Sequence, residues 1–259
     1  MSCRYFLLPF LLPFLSFGQL PRHLQPTMNE GVHYLIEDID YAKAAAAFQQ
    51  IVDSIPKNHL GNRPMGASEY AEAYLYLGVA NYRSGKNYDL GTKQMLKAME
   101  MELGWSNHYA VWNFDTLLAQ NQPDSRLYLA RGLAHLHRAR YAGGGDSTRF
   151  YLQKALEDID RAESLGLTDY RVNYYRASVL YQMWWLDFEH KRDELALEQV
   201  NIAIAKYPED PRCYILRGHL AGSSRLNHVG HGRADFDKAN EKQKNWSVWD
   251  ISFQKREGW

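Results

Sequence analysis

One short segment occurs three times and restricts the folds open to this chain. Arg126-Leu127-Tyr128-Leu129-Ala130-Arg131-Gly132 is matched by Arg212-Cys213-Tyr214-Ile215-Leu216-Arg217-Gly218, and a looser copy runs from Arg171 through Arg176 to Ala177. An arginine opens each segment, and a second arginine five residues later precedes a small residue. The copies start 45 and then 41 residues apart, a spacing in the range of helical solenoid repeats. Each is followed, after a variable gap, by a second helical pattern with small residues at its packing positions. This predicts helix pairs stacked in a row.

The second helices carry the sharper pattern. Ala196, Val200, Ala203 and Pro208 place a small residue, a large apolar one four on, a small one three further and a proline five beyond that. Ala44, Phe48, Ile51 and Pro56 fit with isoleucine at the third place. Ala155, Ile159 and Ala162 fit without the proline, and Gly232, Phe236 and Ala239 fit with glycine first. These runs resemble the tetratricopeptide repeat, whose first helix carries an aromatic residue and a Leu-Gly or similar pair. The resemblance covers most of residues 29–243. It implies an all-α, right-handed superhelix of about five antiparallel helix pairs, in units of about 29–56, 68–103, 125–166, 170–208 and 211–243. Residues 104–124 do not fit a repeat cleanly. Trp105, Tyr109, Trp112, Phe114 and Leu117-Leu118 predict an extra helix from about His108 to Ala119 there. The loops inside the last three units are longer than the family norm, most of all after Tyr141.

The termini read differently. Residues 1–18 have the form of a secretory signal: Arg4, an apolar run from Tyr5 to Phe17, and a small-x-small site at Ser16-Phe17-Gly18 that leaves Gln19 first. The apolar run is too short to span a bilayer, and Pro9 and Pro13 break it. The Phe-Gly-Gln ending resembles signals of exported Bacteroidetes proteins, which implies a periplasmic or extracellular location. Residues 19–28, with Pro21 and Pro26, read as a linker. Residues 244–259 form an aromatic tail with Trp246, Trp249, Phe253 and Trp259, expected to cover the open end of the stack. Of two cysteines, Cys3 leaves with the signal, so the mature chain has a single thiol, Cys213, and no internal disulfide.

Composition removes some functions. Lysine plus arginine and aspartate plus glutamate number 30 each, so there is no basic excess of the kind that binds nucleic acid. No Gly-x-Ser-x-Gly, His-Glu-x-x-His or comparable nucleophile motif is present. The glycine-rich stretch Ala142–Ser147 follows a helix and lacks the Gly-Lys-Ser/Thr ending of a phosphate loop. His219, His228 and His231 sit in a Gly/Ser/Asn-rich segment without a carboxylate in helical register, which is poor for a metal. No catalytic residue, metal or cofactor is therefore expected.

Two groups remain as partner-binding candidates. Arg131, Arg176 and Arg217 recur at one place in three first helices, so they either line a basic stripe for an acidic peptide or pair with acids such as Asp158, Asp160 or Asp235. Tyr181, Trp184 and Trp185 either form a platform for a peptide or glycan or pack an irregular inter-helix segment. The expected function is a non-enzymatic protein–protein interaction scaffold of the cell envelope. The alternative is a small-ligand or glycan-binding protein that uses the aromatic-rich segments.

Overall fold

The structure, a computed structural model, describes residues 20–55, 65–85, 87–100, 107–120, 123–222 and 229–243. The signal, the tail, Trp105 and His228 lie outside the described residues. Among the described residues no strand occurs, and no helix is long and apolar enough to cross a membrane. The chain divides into two compact units, Met1–Ser106 and Asn107–Trp259. It is an all-α repeat protein built from helix pairs.

In the first unit a 3-10 turn, Arg22–Leu24, leads into α1 (Gln25–Ile36), which pairs with α2 (Tyr41–Asp53). The helix thus starts inside the expected linker, because Pro26 occupies its first turn, where a missing N–H costs nothing. Asp40 caps α2 by accepting from the Lys43 N–H at 3.1 Å. Then α3 (Met65–Arg83) pairs with α4 (Tyr88–Glu100), and α2 packs on α3. Gly85 ends α3 in the left-handed region, φ +70, as its position after the apolar run predicts.

The second unit opens with α5 (Asn107–Gln120), followed by the pairs α6 (Ser125–Arg140) with α7 (Gly145–Ser164), α8 (Tyr170–Asp187) with α9 (His190–Lys206), and α10 (Pro211–Gly222) with α11 (Val229–Gln243). Between pairs, α5 packs on α6, α7 on α8 and α9 on α10. The first helices all start the same way. The carboxylates of Asp124, Asp169 and Asp210 accept from the backbone N–H two residues on, that of Arg126, Arg171 and Arg212, each at 2.9 Å. The recurring Asp-x-Arg is therefore a helix start, and in two copies the arginine side chain also pairs back with the cap aspartate, Arg171 with Asp169 at 3.5 Å and Arg212 with Asp210 at 2.7 Å.

Each pair closes on a small residue. A Cβ on Gly78 would lie 2.7 Å from the Gly91 carbonyl oxygen and 2.8 Å from the Met95 nitrogen, and one on Gly91 would meet the Tyr82 nitrogen at 2.7 Å. Residue numbers rise on one helix as they fall on the other, so α3 and α4 are antiparallel. Gly132 approaches the Ala155 carbonyl and Ile159, and Gly218 approaches Phe236 and the Gly232 carbonyl. Gly31 fits against the Phe48 ring in the same manner. The apolar positions that repeat on the second helices, Ala44, Phe48 and Ile51, then Ala155, Ile159 and Ala162, then Ala196, Val200 and Ala203, are all buried.

Two expectations change. Spacing inside the third and fourth pairs is taken up by longer helices rather than by longer loops. Past the close approach at Gly132, α6 runs eight more residues, and α7 has ten before Ala155. Past Ala177, α8 runs ten residues. By contrast α3 continues five past Gly78 and α10 four past Gly218. At about 1.5 Å per residue the middle pairs project about one to two turns further at their turn ends. In addition, α5 is in register as a second helix. Phe114 and Leu117 are fully buried in the places of Ile159 and Ala162, and α6 packs on α5 as α8 does on α7.

Gly78→Ala gains up to about 1 kcal/mol of helix propensity but drives a methyl into backbone that cannot rotate away. We expect a net loss of about 1–3 kcal/mol, measured by urea unfolding followed by circular dichroism. Gly145→Ala, at the first residue of α7 with nothing within 4 Å of the new methyl, is the control and should be near neutral.

Candidate partner-binding surface

The three recurrent arginines hold helices together. Arg131 donates from Nε and Nη2 to both carboxylate oxygens of Asp158 on its pair helix, at 2.8 and 2.6 Å, and from Nη1 to Asp115 on the preceding helix at 2.6 Å. Arg217 repeats the arrangement, with Asp235 at 2.8 and 2.5 Å and Asn201 at 3.0 Å. Arg176 reverses the weights: it donates to Asp160 and Glu163 on the preceding helix and to Gln199 on its pair helix. The acceptors obey a rule. Asp158, Gln199 and Asp235 stand one residue before the large apolar residue of a second helix, and Asp115, Asp160 and Asn201 stand one residue after it. Each arginine therefore straddles a core position and ties one pair to the previous helix. Asp158 is buried.

This staple sits in a low-dielectric setting. Burial pushes the Asp158 carboxyl up despite its bidentate guanidinium partner. Burial, aided by the Arg131 and Arg138 charges, holds His135 down at about 4. Its Nε2 is 3.9 Å from Asp158, its ring lies over Tyr151, and its buried Nδ1 has no hydrogen-bond partner. Arg138 covers the other side of this region, with its guanidinium 4.3 Å from the Tyr151 ring centroid and a bond to the Tyr151 hydroxyl.

The aromatic candidates come together at the far end of α8. Trp184 and Trp185 belong to a continuous helix rather than to an irregular segment, and Phe188 caps it in the left-handed region at φ 54. That conformation is uncommon for a bulky residue, and it turns the Phe188 ring back onto the helix. Tyr181 and Trp184 stack with centroids 6.0 Å apart, Trp184 and Trp185 meet edge to face at 5.1 Å, and Phe188 touches both tryptophans at 5.7 and 6.2 Å. Tyr181 and Trp184 are buried, whereas Trp185 is 44% and Phe188 58% exposed. The Trp184 indole N–H is buried with no acceptor. Arg192 fixes the following turn by pairing with Asp187 and with Glu189.

The neighbouring tip is aromatic too. Tyr141 and Phe150, at the turn between α6 and α7, are 46% and 55% exposed. The Arg176–Asp160 bond sets the register of α7 on α8, and counted from it, residues 148–151 lie level with Trp185 and Phe188. Both extended tips thus present large apolar rings on one edge of the second unit. Sequence reasoning missed Tyr141 and Phe150; the available signal was that neither lies on the buried stripe of its helix. Arg176 lies eight residues before Trp184 and is engaged elsewhere, so the arginine and aromatic candidates form separate features. Among the described residues no group of three or more His, Cys, Asp or Glu is placed to hold a metal; His228 lies outside them, as does the His231 side chain.

No family profile matches the sequence, and no characterised protein matches it either. Solved helical proteins resemble it in outline. A protein titled MamA RS-1 ArsTM double mutant is 13% identical over 87% of this chain and 97% of its own, with a TM-score of 0.44. TTC0263, described as a thermophilic TPR protein in Thermus thermophilus, is 19% identical over 90% and 96%, with a TM-score of 0.42. A further MamA structure is 17% identical over 83% and 95%, with a TM-score of 0.41. At such values the repeat architecture rests on the chain's own helices and their contacts.

Two outcomes follow from the staple. Asp158→Asn breaks a largely buried ion pair and should cost about 2–3 kcal/mol in chemical unfolding, while Arg131→Met with Asp158→Leu recovers most of that loss. Second, His135 is held neutral in the fold and takes a proton more readily when unfolded. Its contribution is therefore lost as pH falls from about 6.5 to about 4, by roughly 3 kcal/mol. Asp158, shifted upward, works in the opposite sense as it is protonated. Unfolding curves of His135→Gln should show a shallower decline than wild type across that window.

Proposed function

We propose that this chain is a non-enzymatic interaction protein that holds a protein or peptide partner against the aromatic tips of its second unit. The aromatic cluster at the end of α8 carries this reading: Trp185 and Phe188 are exposed, and the buried Tyr181 and Trp184 pack against them. Large rings fixed on a rigid helix lose little entropy on binding and favour hot-spot contacts. Stacked helix pairs are a scaffold on which such anchors are held in fixed register. The arginines have acidic or amide partners, so they contribute rigidity to this surface rather than the contact itself.

A small-ligand site would have the rings wall an enclosed pocket. Trp185 and Phe188 instead face outward at a helix turn, which favours a macromolecular partner. We further propose that the mature protein starts at Gln19 and works outside the cytoplasm as part of an envelope assembly, on the strength of the signal in residues 1–18.

A photo-crosslinking residue at position 185 of the exported chain, in its native cells, tests both points. One cross-linked protein should be recovered, and the mature N-terminus should read Gln19. Phe188→Gly, with Tyr181→Ala as a second variant, should reduce recovery at least tenfold. The first of these leaves stability unchanged or raised by about 1 kcal/mol, because glycine accepts the left-handed conformation. Undiminished cross-linking in both variants would refute the aromatic surface.

A further inference from the structure

The two aromatic tips of the second unit carry opposite charge. Residues 138–154, which span the turn between α6 and α7, hold four basic side chains, Arg138, Arg140, Arg149 and Lys154, against one acid, Asp146. The equally long stretch 182–198, across the turn between α8 and α9, holds five acids against two basic residues, and of these acids only Asp193 is buried. The chain as a whole is balanced at 30 of each sign, so both excesses are local. Arg149 stands 3.6 Å from Asp146 with both side chains exposed, and such a pair contributes little. Arg138 is taken up by a neutral phenol, that of Tyr151. At the other tip a single guanidinium, Arg192, serves both Asp187 and Glu189.

Rings and charges stand at matching heights on the two tips. With Asp160 level with Arg176, Arg149 lies level with Asp187, and Phe150 falls between the levels of Trp185 and Phe188. Each tip therefore combines two exposed rings with one sign of charge: Tyr141 and Phe150 with the basic residues, Trp185 and Phe188 with the acids. A partner that covers this edge must bring apolar groups to both tips and the reverse order of charge. A second copy of this chain, turned by half a rotation about an axis between the tips, brings both. Two-fold interfaces are self-complementary in this way: the contact of the first tip on the second is made again in reverse.

We propose that the occupant of the aromatic edge is a second copy of this chain, held in a two-fold dimer through the α6–α7 and α8–α9 tips. This rests on the reading that Trp185 and Phe188 belong to the contact surface. In the dimer Phe150 packs against Trp185 and Phe188 of the second copy, and Arg149 lies against Asp187 and Glu189 of the second copy. The rings supply the affinity. The charges make unlike tips meet and oppose the arrangement in which like tips face each other.

Exchange of charges tests the arrangement. The exported chain should sediment as a dimer at micromolar concentration. Arg149→Glu and Glu189→Arg alter exposed side chains. Each alone should weaken dimerisation about tenfold or more, because every homodimer then carries two like-charge contacts. An equimolar mixture of the two variants should restore the dimer, because in the mixed pair one contact is exchanged and the other is native. A Phe150→Cys chain mixed with a differently tagged Phe188→Cys chain, both in a Cys3→Ser, Cys213→Ala background, should form a disulfide faster than either chain by itself. A chain that stays monomeric at millimolar concentration overturns the proposal, as does a mixture no more dimeric than its components. If the chain is monomeric while position 185 cross-links a different protein, the aromatic surface stands and its occupant is not a second copy. If cross-linking at position 185 fails as well, both readings fall.

Discussion

The structure depends on backbone-to-backbone approach within each helix pair. Gly78 and Gly91 bring α3 and α4 so close that neither position has room for a methyl group. Gly132 and Gly218 serve the same purpose in α6 and α10, and Ala177 is the variant in α8. Close approach lets Ile159, Val200 and Phe48 fill the space between pairs with large side chains, and buried apolar contact of this kind is the main favourable term in folding. A glycine inside a helix is costly by itself. Its recurrence at one phase is therefore a mark of packing, not of flexibility.

Ionic bridges are laid over that contact at a fixed place. Arg131, Arg176 and Arg217 each reach both the helix of their own pair and the helix before it. Arg131 has two carboxylate acceptors, Asp115 and Asp158, whereas Arg176 and Arg217 each combine a carboxylate with an amide, Asp160 with Gln199 and Asp235 with Asn201. A buried ion pair contributes little net stability compared with apolar packing, but it penalises a slipped register, since a slip strands a buried charge. The bridges thus fix the phase of the stack, while the small residues and apolar cores supply its cohesion. With the phase set, the lengthened α6, α7 and α8 carry Tyr141, Phe150, Trp185 and Phe188 to one edge of the second unit.

Much of the fold was legible because repeats state their own grammar. The spacing of Ala155, Ile159 and Ala162 announced a second helix, and the segments opening at Arg126, Arg171 and Arg212 announced three first helices. The site was less legible. Asp158 and Asp160 look alike in sequence, yet one lies in the core beside Arg131 and the other on the surface beside Arg176. A shift of two residues on a helix turns a side chain through more than half a circle, and only the neighbouring helix tells which direction is inward. The extra length after Tyr141 is equally mute, since loop and helix fit the same number of residues.

By itself the sequence determined the helix-pair repeat, its small-residue phase and its capped helix starts, because these depend on local spacing and backbone chemistry. Tertiary structure decided what the repeated side chains do. It turned the arginines onto acids and amides supplied by two different helices. It gave α5 the register of a second helix, and it brought Trp185 and Phe188 to the surface while burying Trp184 next to them. Those outcomes depend on which faces meet across pairs, and that is settled when the whole stack packs.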